Sequence, residues 1–307
     1  MHPALKWTLR ILGGIVGLIL LLLIVVYVWS DIKLDRDFDM ATESVELRTD
    51  SASLAHGKYL ATAVAKCGDC HGADLGGSTM FSDPAIGTII APNLTAGEGS
   101  ATKDYAGVED WVRSVRYGVG TDGKGLAIMP SHEYWWMSDR ELGSVLAYVQ
   151  SVSPVNRTHE ENSYGPMGRA LFAFGMLPIF RADVIDRTAD RGPEPVPGVT
   201  PQYGEHLARV GGCIGCHGED LSGGPIPGHP PDFLPGANLT PHEDGLKGYD
   251  IAKFTAALRQ GKRKDGGSLD PEQMPWASAG LMTDQDIAAI WAYLSSVPPK
   301  ESLWAEK

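Results

Sequence analysis

All four cysteines of the 307-residue chain stand in two short clusters, Cys67-Gly68-Asp69-Cys70-His71-Gly72 and Cys213-Ile214-Gly215-Cys216-His217-Gly218. Two thiols and an imidazole at this spacing could do several kinds of chemistry. A thioredoxin-like dithiol needs a βαβ setting, and no such pattern surrounds either cluster. A structural zinc site needs a fourth ligand, and no second cysteine pair completes a familiar set. A disulfide within each cluster would leave both histidines without a role. Cys-x-x-Cys-His is the attachment signature of c-type haem, in which the thiols add to the vinyl groups and the histidine meets the iron. The clusters therefore predict two covalently bound haem c groups, on Cys67, Cys70, Cys213 and Cys216, with His71 and His217 as proximal iron ligands.

The clusters belong to a longer repeat. The cysteine motifs are offset by 146 residues, and Asn93-Leu94-Thr95 returns as Asn238-Leu239-Thr240 at an offset of 145. Trp111–Gly118 answers Phe254–Gly261, Met129-Pro130 answers Met274-Pro275, and Met137–Val152 answers Met282–Val297. A repeat of this length implies two copies of one structural unit.

Each unit reads as helix, cluster, long loop, helix, Met-Pro loop, helix. Gly57, Tyr59 and Leu60 lie on the first helix of one copy, Gly204 and Leu207 on that of the other. Ser138 with Glu141, and Thr283 with Asp286, have the arrangement that opens a helix. Leu142, Val145, Leu146 and Val149 then recur at helical spacing, as do Ile287, Ile290, Trp291 and Leu294. No strand-like alternation dominates, so the expected class is all-α. The expected division is an anchor at 1–30, a tether at 31–50, units at 51–154 and 201–300, and a connector at 155–200. Within the connector the apolar stretch from Ala170 to Phe180 is expected to be a helix packed between the units; the alternative, a helix lying on the membrane surface, lacks the basic face such helices usually carry.

Over residues 50–300 the chain resembles class I cytochromes c, which implies two tandem cytochrome c domains. In that family a methionine in the loop before the last helix is the distal iron ligand, a place that Met129 and Met274 match, each followed by proline. Met137 and Met282 recur at the same offset but immediately precede Ser138 and Thr283, where an apolar residue staples the helix start. The resemblance also implies that the Pro92 carbonyl accepts the proximal histidine's second N–H. The second copy has Ala237 there, and a backbone carbonyl can serve from either residue. More narrowly, the Asn-Leu-Thr loops, the Met-Pro segments and the apolar connector resemble the cytochrome subunits of membrane-bound alcohol and gluconate dehydrogenases. Those carry three haem units, whereas two are present in this sequence.

From Ile11 to Trp29 nineteen residues run without a charge. At 1.5 Å per residue this nearly matches a hydrocarbon core of roughly 30 Å, with Trp7, Tyr27 and Trp29 where aromatic side chains favour the interface. The apolar region of a signal peptide is shorter and ends at small residues, and Val28-Trp29-Ser30 is a poor cleavage site. Residues 11–29 are therefore expected to remain as a single transmembrane anchor. Lys6 and Arg10 precede the run and an acidic balance follows it. This predicts a cytoplasmic N-terminus and periplasmic haem domains at a bacterial inner membrane. Gly13 and Gly17 offer a small-xxx-small face for a partner helix.

A composition of 43% apolar and 21% charged residues is that of a globular protein. The net charge of −12 excludes a general nucleic-acid binder. Two His/Met haems beside a membrane predict a carrier of single electrons with no catalytic residues. It would act between a quinol-oxidising complex or dehydrogenase and a soluble cytochrome or terminal oxidase. The alternative is a dihaem redox enzyme, such as a peroxidase or a dehydrogenase cytochrome subunit. A peroxidase needs an open sixth iron position, and a cysteine-ligated catalytic haem needs a fifth cysteine. His56, His206, His229 and His242 read as surface or packing residues. Lys253, Arg259, Lys262, Arg263 and Lys264 concentrate positive charge on an acidic chain, as a docking patch or as a solvated helix end.

Overall fold

A computed structural model describes residues 3–39, 43–228 and 233–302. His229 and residues 40–42 of the tether lie outside the described residues. The chain opens with one 32-residue helix, α1 (Pro3–Leu34), whose mean hydropathy reaches 3.1 over eighteen residues. It is long and apolar enough to cross a membrane, and Gly13 and Gly17 on it meet nothing within 4 Å.

The first unit runs through α2 (Ser51–Tyr59), α3 (Cys67–His71), α4 (Val108–Val112), α5 (Ser131–Tyr134) and α6 (Asp139–Ser151). The connector carries α7 (Pro166–Ala173). The second unit runs through α8 (Pro201–Val210), α9 (Cys213–His217), α10 (Ile251–Gln260), α11 (Trp276–Ala279) and α12 (Asp284–Ser296).

Both units are built on the crossing of their first and last helices. A Cβ on Gly57 would lie 1.9 Å from the Ser144 carbonyl oxygen, and one on Gly204 would lie 1.9 Å from that of Ala289. Only glycine lets these backbones approach so closely. Leu60, Val64, Leu142, Val145 and Leu146 pack around one crossing. Leu207, Val210, Ile287, Ile290 and Leu294 pack around the other, and the two groups join into one continuous core. Ser138 and Glu141 form the full reciprocal cap at the start of α6. Thr283 caps α12, but the shorter Asp286 side chain accepts the Tyr59 hydroxyl of α2 instead.

The helices match the all-α expectation, and the first unit corrects it. A hairpin of β1 (Ser78–Asp83) and β2 (Gly87–Ala91) is extended by β3 (Ser163–Tyr164) into a three-stranded antiparallel sheet. The cause is local. Asp83 Oδ1 accepts the Ala85 and Ile86 amides and turns the chain, after which Thr88, Ile89 and Ile90 favour extended backbone.

The connector also departs from expectation. Its helix packs against the end of α1 and the first unit rather than between the two units. Phe172, Ile179 and Phe180 form a small separate core there, with Leu34, Phe38 and Ala127.

The tether is clamped to the first unit by a buried cation. Arg116 is fully buried and pairs with Glu43 at 3.0 Å and with Asp139 at 2.9 Å. Glu43 also receives Arg191 and the Tyr117 hydroxyl. Burial alone would raise the Glu43 pKa. The bonds from Arg191, Tyr117 and Arg116 outweigh it and hold the group at about 2 against an ordinary 4.5. Between these values the unfolded chain binds the extra proton, so this contribution is present above about pH 4.5 and fades as pH falls toward 2. Glu43→Gln is expected to lose about 2–3 kcal/mol of stability at pH 7. Urea midpoints should show that deficit shrinking at pH 3; an equal deficit at both pH values would contradict the clamp.

Candidate haem sites

Each cysteine cluster is a single helical turn entered through a left-handed residue, Lys66 at φ 52° and Gly212 at φ 74°. The turn brings the histidine inward, and His71 and His217 are both buried. His71 Nδ1 donates to the Pro92 carbonyl at 2.8 Å, and His217 Nδ1 donates to the Ala237 carbonyl at 2.7 Å. A carbonyl only accepts, so Nδ1 carries the proton and Nε2 is left with a free lone pair. Burial lowers both imidazole pKa values and keeps them neutral. A neutral ring with a free Nε2 is the form that binds a metal. Burial pushes the Cys67 thiol up to about 12 and raises that of Cys213. Such thiols are poor partners for disulfide exchange, which needs the thiolate.

The carbonyls that fix the histidines are themselves held by residues to which the sequence reading assigned no role. Asn93 is buried, its Nδ2 donates to the Val155 carbonyl at 2.7 Å, and its Oδ1 accepts the amide and hydroxyl of Thr95. Asn238 repeats this with the Lys300 carbonyl at 2.7 Å and with Thr240. The Thr95 and Thr240 hydroxyls accept the Val155 and Lys300 amides in turn. Each Asn-Leu-Thr triplet thus ties the histidine's acceptor loop to the strap that follows the last helix. Exact repetition of the triplet was the available signal.

Both Met-Pro loops form the same tight turn. Pro130 has φ −80° and ψ 48°, Pro275 has φ −76° and ψ 59°, and the Ser131 and Trp276 amides reach back to the Met129 and Met274 carbonyls. These are inverse γ-turns, for which proline pre-sets φ. Just before the first, Ile128 is held at φ 62°, a costly conformation for a β-branched residue.

In the first unit a cavity of about 640 Å³ is lined by Cys67, Cys70, His71, Pro92 and Met129. The volume falls within the roughly 300–1,000 Å³ of cofactor sites. Its walls are largely apolar, with Trp111 and Leu146 among them and Met80 reaching it, and Lys66, Asp122, Glu160 and Glu161 also line it. Two thiols, a neutral imidazole and a thioether in one apolar cavity suit a flat hydrophobic iron cofactor. Met137 touches the cavity too but is 1% exposed in the core, and Met282 is 2% exposed. Their carbonyls accept Arg116 and Arg259 respectively, both at 2.9 Å. In the second unit Met274, Ile214 and Leu239 are partly buried and pack against the core.

The two cysteine turns adjoin across the contact between units, through paired contacts from equivalent positions. Tyr59 bonds Asp286 and its counterpart His206 bonds Glu141 at 2.9 Å. Ser278 bonds Asp69 at 2.7 Å, while the Glu133 carboxylate lies over Gly212 and Gly215. Lys66 Nζ donates to the Gly211 carbonyl at 2.5 Å. Burial pushes the Glu133 pKa up to about 7 against the pull of Lys66 and Arg181.

The basic residues of the second unit divide: Arg259, Lys264 and Lys253 have partners within the fold, whereas Lys262 and Arg263 are exposed. Arg259 holds Asp284 and the Gly280 and Met282 carbonyls, as Arg116 holds Asp139 and Met137. Lys264 donates to the Gly245 and Lys247 carbonyls, and Lys253 pairs with Asp250.

Because each asparagine satisfies several buried groups at about 1 kcal/mol apiece, Asn93→Ala and Asn238→Ala should each cost about 2–3 kcal/mol in urea unfolding. An unchanged midpoint in the alanine variants would show that the triplets are not clamps.

Comparison with known proteins agrees with this geometry. The family model described as cytochrome c matches residues 54–153 and 202–298, one stretch for each unit. The cytochrome c subunit of a quinone-type alcohol dehydrogenase from Gluconacetobacter polyoxogenes is 38% identical over 97 residues, which is 30% of this chain and 20% of that subunit. A gluconate 2-dehydrogenase cytochrome c subunit from Pantoea cypripedii is 36% identical over 95 residues, 29% of this chain and 21% of the relative. A diheme cytochrome c-type protein from Cereibacter sphaeroides is 30% identical over 129 residues, 38% of this chain and 43% of the relative. The match thus spans about a fifth of the dehydrogenase subunits' length. With both family matches enclosing a cysteine turn, a carbonyl-held histidine and a Met-Pro turn, the chain belongs to the cytochrome c family.

Proposed function

We propose that the protein is a membrane-anchored electron carrier with two haem c groups, each ligated by histidine and methionine. The observation that carries this reading is the repeated frame: a cysteine turn, a histidine with Nε2 left free, and a methionine in an inverse γ-turn. Cys67, Cys70 and His71 with Met129 would hold the first haem, and Cys213, Cys216 and His217 with Met274 the second. Haem iron supplies one-electron chemistry, and a methionine ligand raises its potential relative to a second histidine. The chain's own residues fix the histidine tautomer, keep the first cavity apolar and hold the two attachment turns side by side.

The expected donor is a quinol-oxidising complex or a dehydrogenase, and the expected acceptor a soluble cytochrome or terminal oxidase. Relatives that are dehydrogenase cytochrome c subunits support the donor class. The apolar helix α1 supports anchoring through residues 11–29. Its flanking charges favour a cytoplasmic N-terminus and a periplasmic position for the haem units. Gly13 and Gly17 are free to meet a partner helix.

Replacing Met129 or Met274 by alanine should leave haem covalently attached, because the thioether bonds do not involve either residue. Each variant should lose about half of the methionine-to-ferric-iron charge-transfer band and open one iron to carbon monoxide. Met80→Ala, Met137→Ala and Met282→Ala should keep the band. If Met274→Ala keeps it while Met282→Ala loses half, the ligand assignment is wrong.

A further inference from the structure

The connector helix α7 does not close against the second unit; it lies along the last turns of α1. Arg169 donates to Ser30 Oγ at 2.9 Å and Asp31 at 2.5 Å, and its guanidinium sits 4.8 Å above the Tyr27 ring. Lys33 Nζ donates to the Ala173 carbonyl at 2.7 Å and lies 4.6 Å from the Trp29 ring centre. Trp29 meets Phe174 edge to face at 6.0 Å. Every one of these contacts falls between Tyr27 and Lys33, at the end of the uncharged run where Trp29 and Tyr27 mark the membrane–water boundary.

At that level α7 presents apolar side chains to the outside. Met167 and Phe174 lie seven residues apart on one face, 54% and 63% exposed, and Met176 beside them is 66% exposed. Gly168, Phe172 and Ala173 on the other face are buried. The turn that displays Phe174 and Met176 is fixed: the Gly175 amide bonds Phe172, and the Met176 and Leu177 amides both bond Leu171. Three large apolar side chains, exposed beside an apolar span, are costly in water. At this exit Asp31 pairs with Arg169, and Asp35 and Asp37 share Lys124, which reduces the negative charge facing lipid headgroups.

We propose that α7 and the Phe174-Gly175-Met176 turn form a second lipid contact, seated in the interfacial layer of the leaflet from which α1 emerges. The occupant of this surface is the bilayer itself, because the patch is continuous with the span. The proposal rests on the membrane-anchor reading of α1 and adds that the haem units are held at a fixed tilt, docked through the first unit. A single helix end would leave them free to swing.

The test uses the full-length protein in vesicles of mixed phosphatidylcholine and phosphatidylglycerol, photolabelled with a diazirine dissolved in the bilayer and mapped by tryptic peptides. Ile11–Lys33 reports the span, Ala170–Arg181 the proposed contact, and Gly192–Arg209, which carries the exposed Val196 and Val199, the aqueous surface. Ala170–Arg181 is expected to carry severalfold more label than Gly192–Arg209. Phe174→Asp with Met176→Asp should remove that excess while Ile11–Lys33 stays labelled. Label on the span but not on Ala170–Arg181, or full label there in the double variant, overturns the lipid contact and leaves the anchor standing. An unlabelled Ile11–Lys33 overturns the anchor reading, and the proposal with it.

Discussion

The hydrogen bond from a histidine Nδ1 to a loop carbonyl, made at Pro92 and again at Ala237, is the constraint on which the rest of the molecule converges. It decides which ring nitrogen keeps its proton and which way the free nitrogen points. The bond is only as firm as the loop that supplies the carbonyl. That loop is held by Asn93 or Asn238, whose amides reach the straps after α6 and α12. Those straps are placed by helices that cross α2 and α8 at Gly57 and Gly204. The chain of dependence runs from a helix crossing, through a buried asparagine, to the tautomer of an imidazole. Ala237 stands where the first unit has Pro92, and the bond persists because its acceptor belongs to the backbone.

Two copies of this frame are joined by contacts between equivalent positions. Tyr59 and His206 each reach a carboxylate in the first turn of the other unit's last helix, Asp286 or Glu141. Glu133 and Ser278 likewise each face the other unit's cysteine turn. The consequence is proximity of the two cysteine turns, with Lys66 bonded directly to Gly211. On the proposed reading, in which single electrons pass between two haems, this close contact matters more than any one residue's reactivity.

Much of this was legible in the sequence because it repeats. The cysteine clusters, the Met-Pro segments and the capped starts of α6 and α12 stand out at a common offset, and helical periodicity places the last helices. What the sequence obscured depended on context. In the second unit the equivalent segment is paired, among the described residues, only at Gly224 and Gly236, so the repeat did not reveal the β1–β2 hairpin; Asp83 and the Thr88-Ile89-Ile90 run were its local signal. Arg259 looked like part of a basic surface, yet it holds the Met282 carbonyl and Asp284, because charge counts along a chain do not show where a guanidinium points. The Asn-Leu-Thr triplets were visible as a motif, but their partners at Val155 and Lys300 lie some sixty residues away. The connector's apolar stretch suggested burial between the units. Its Met167 and Phe174 instead face outward beside α1.

The central claim is that both units bind haem in the same closed, two-ligand frame. A potentiometric titration of the purified protein, followed spectrally with and without carbon monoxide, addresses it most directly. The account predicts two one-electron low-spin centres per chain, and reduced spectra that carbon monoxide leaves unchanged. A single haem per chain, or stoichiometric carbon monoxide binding at one of two, would contradict it.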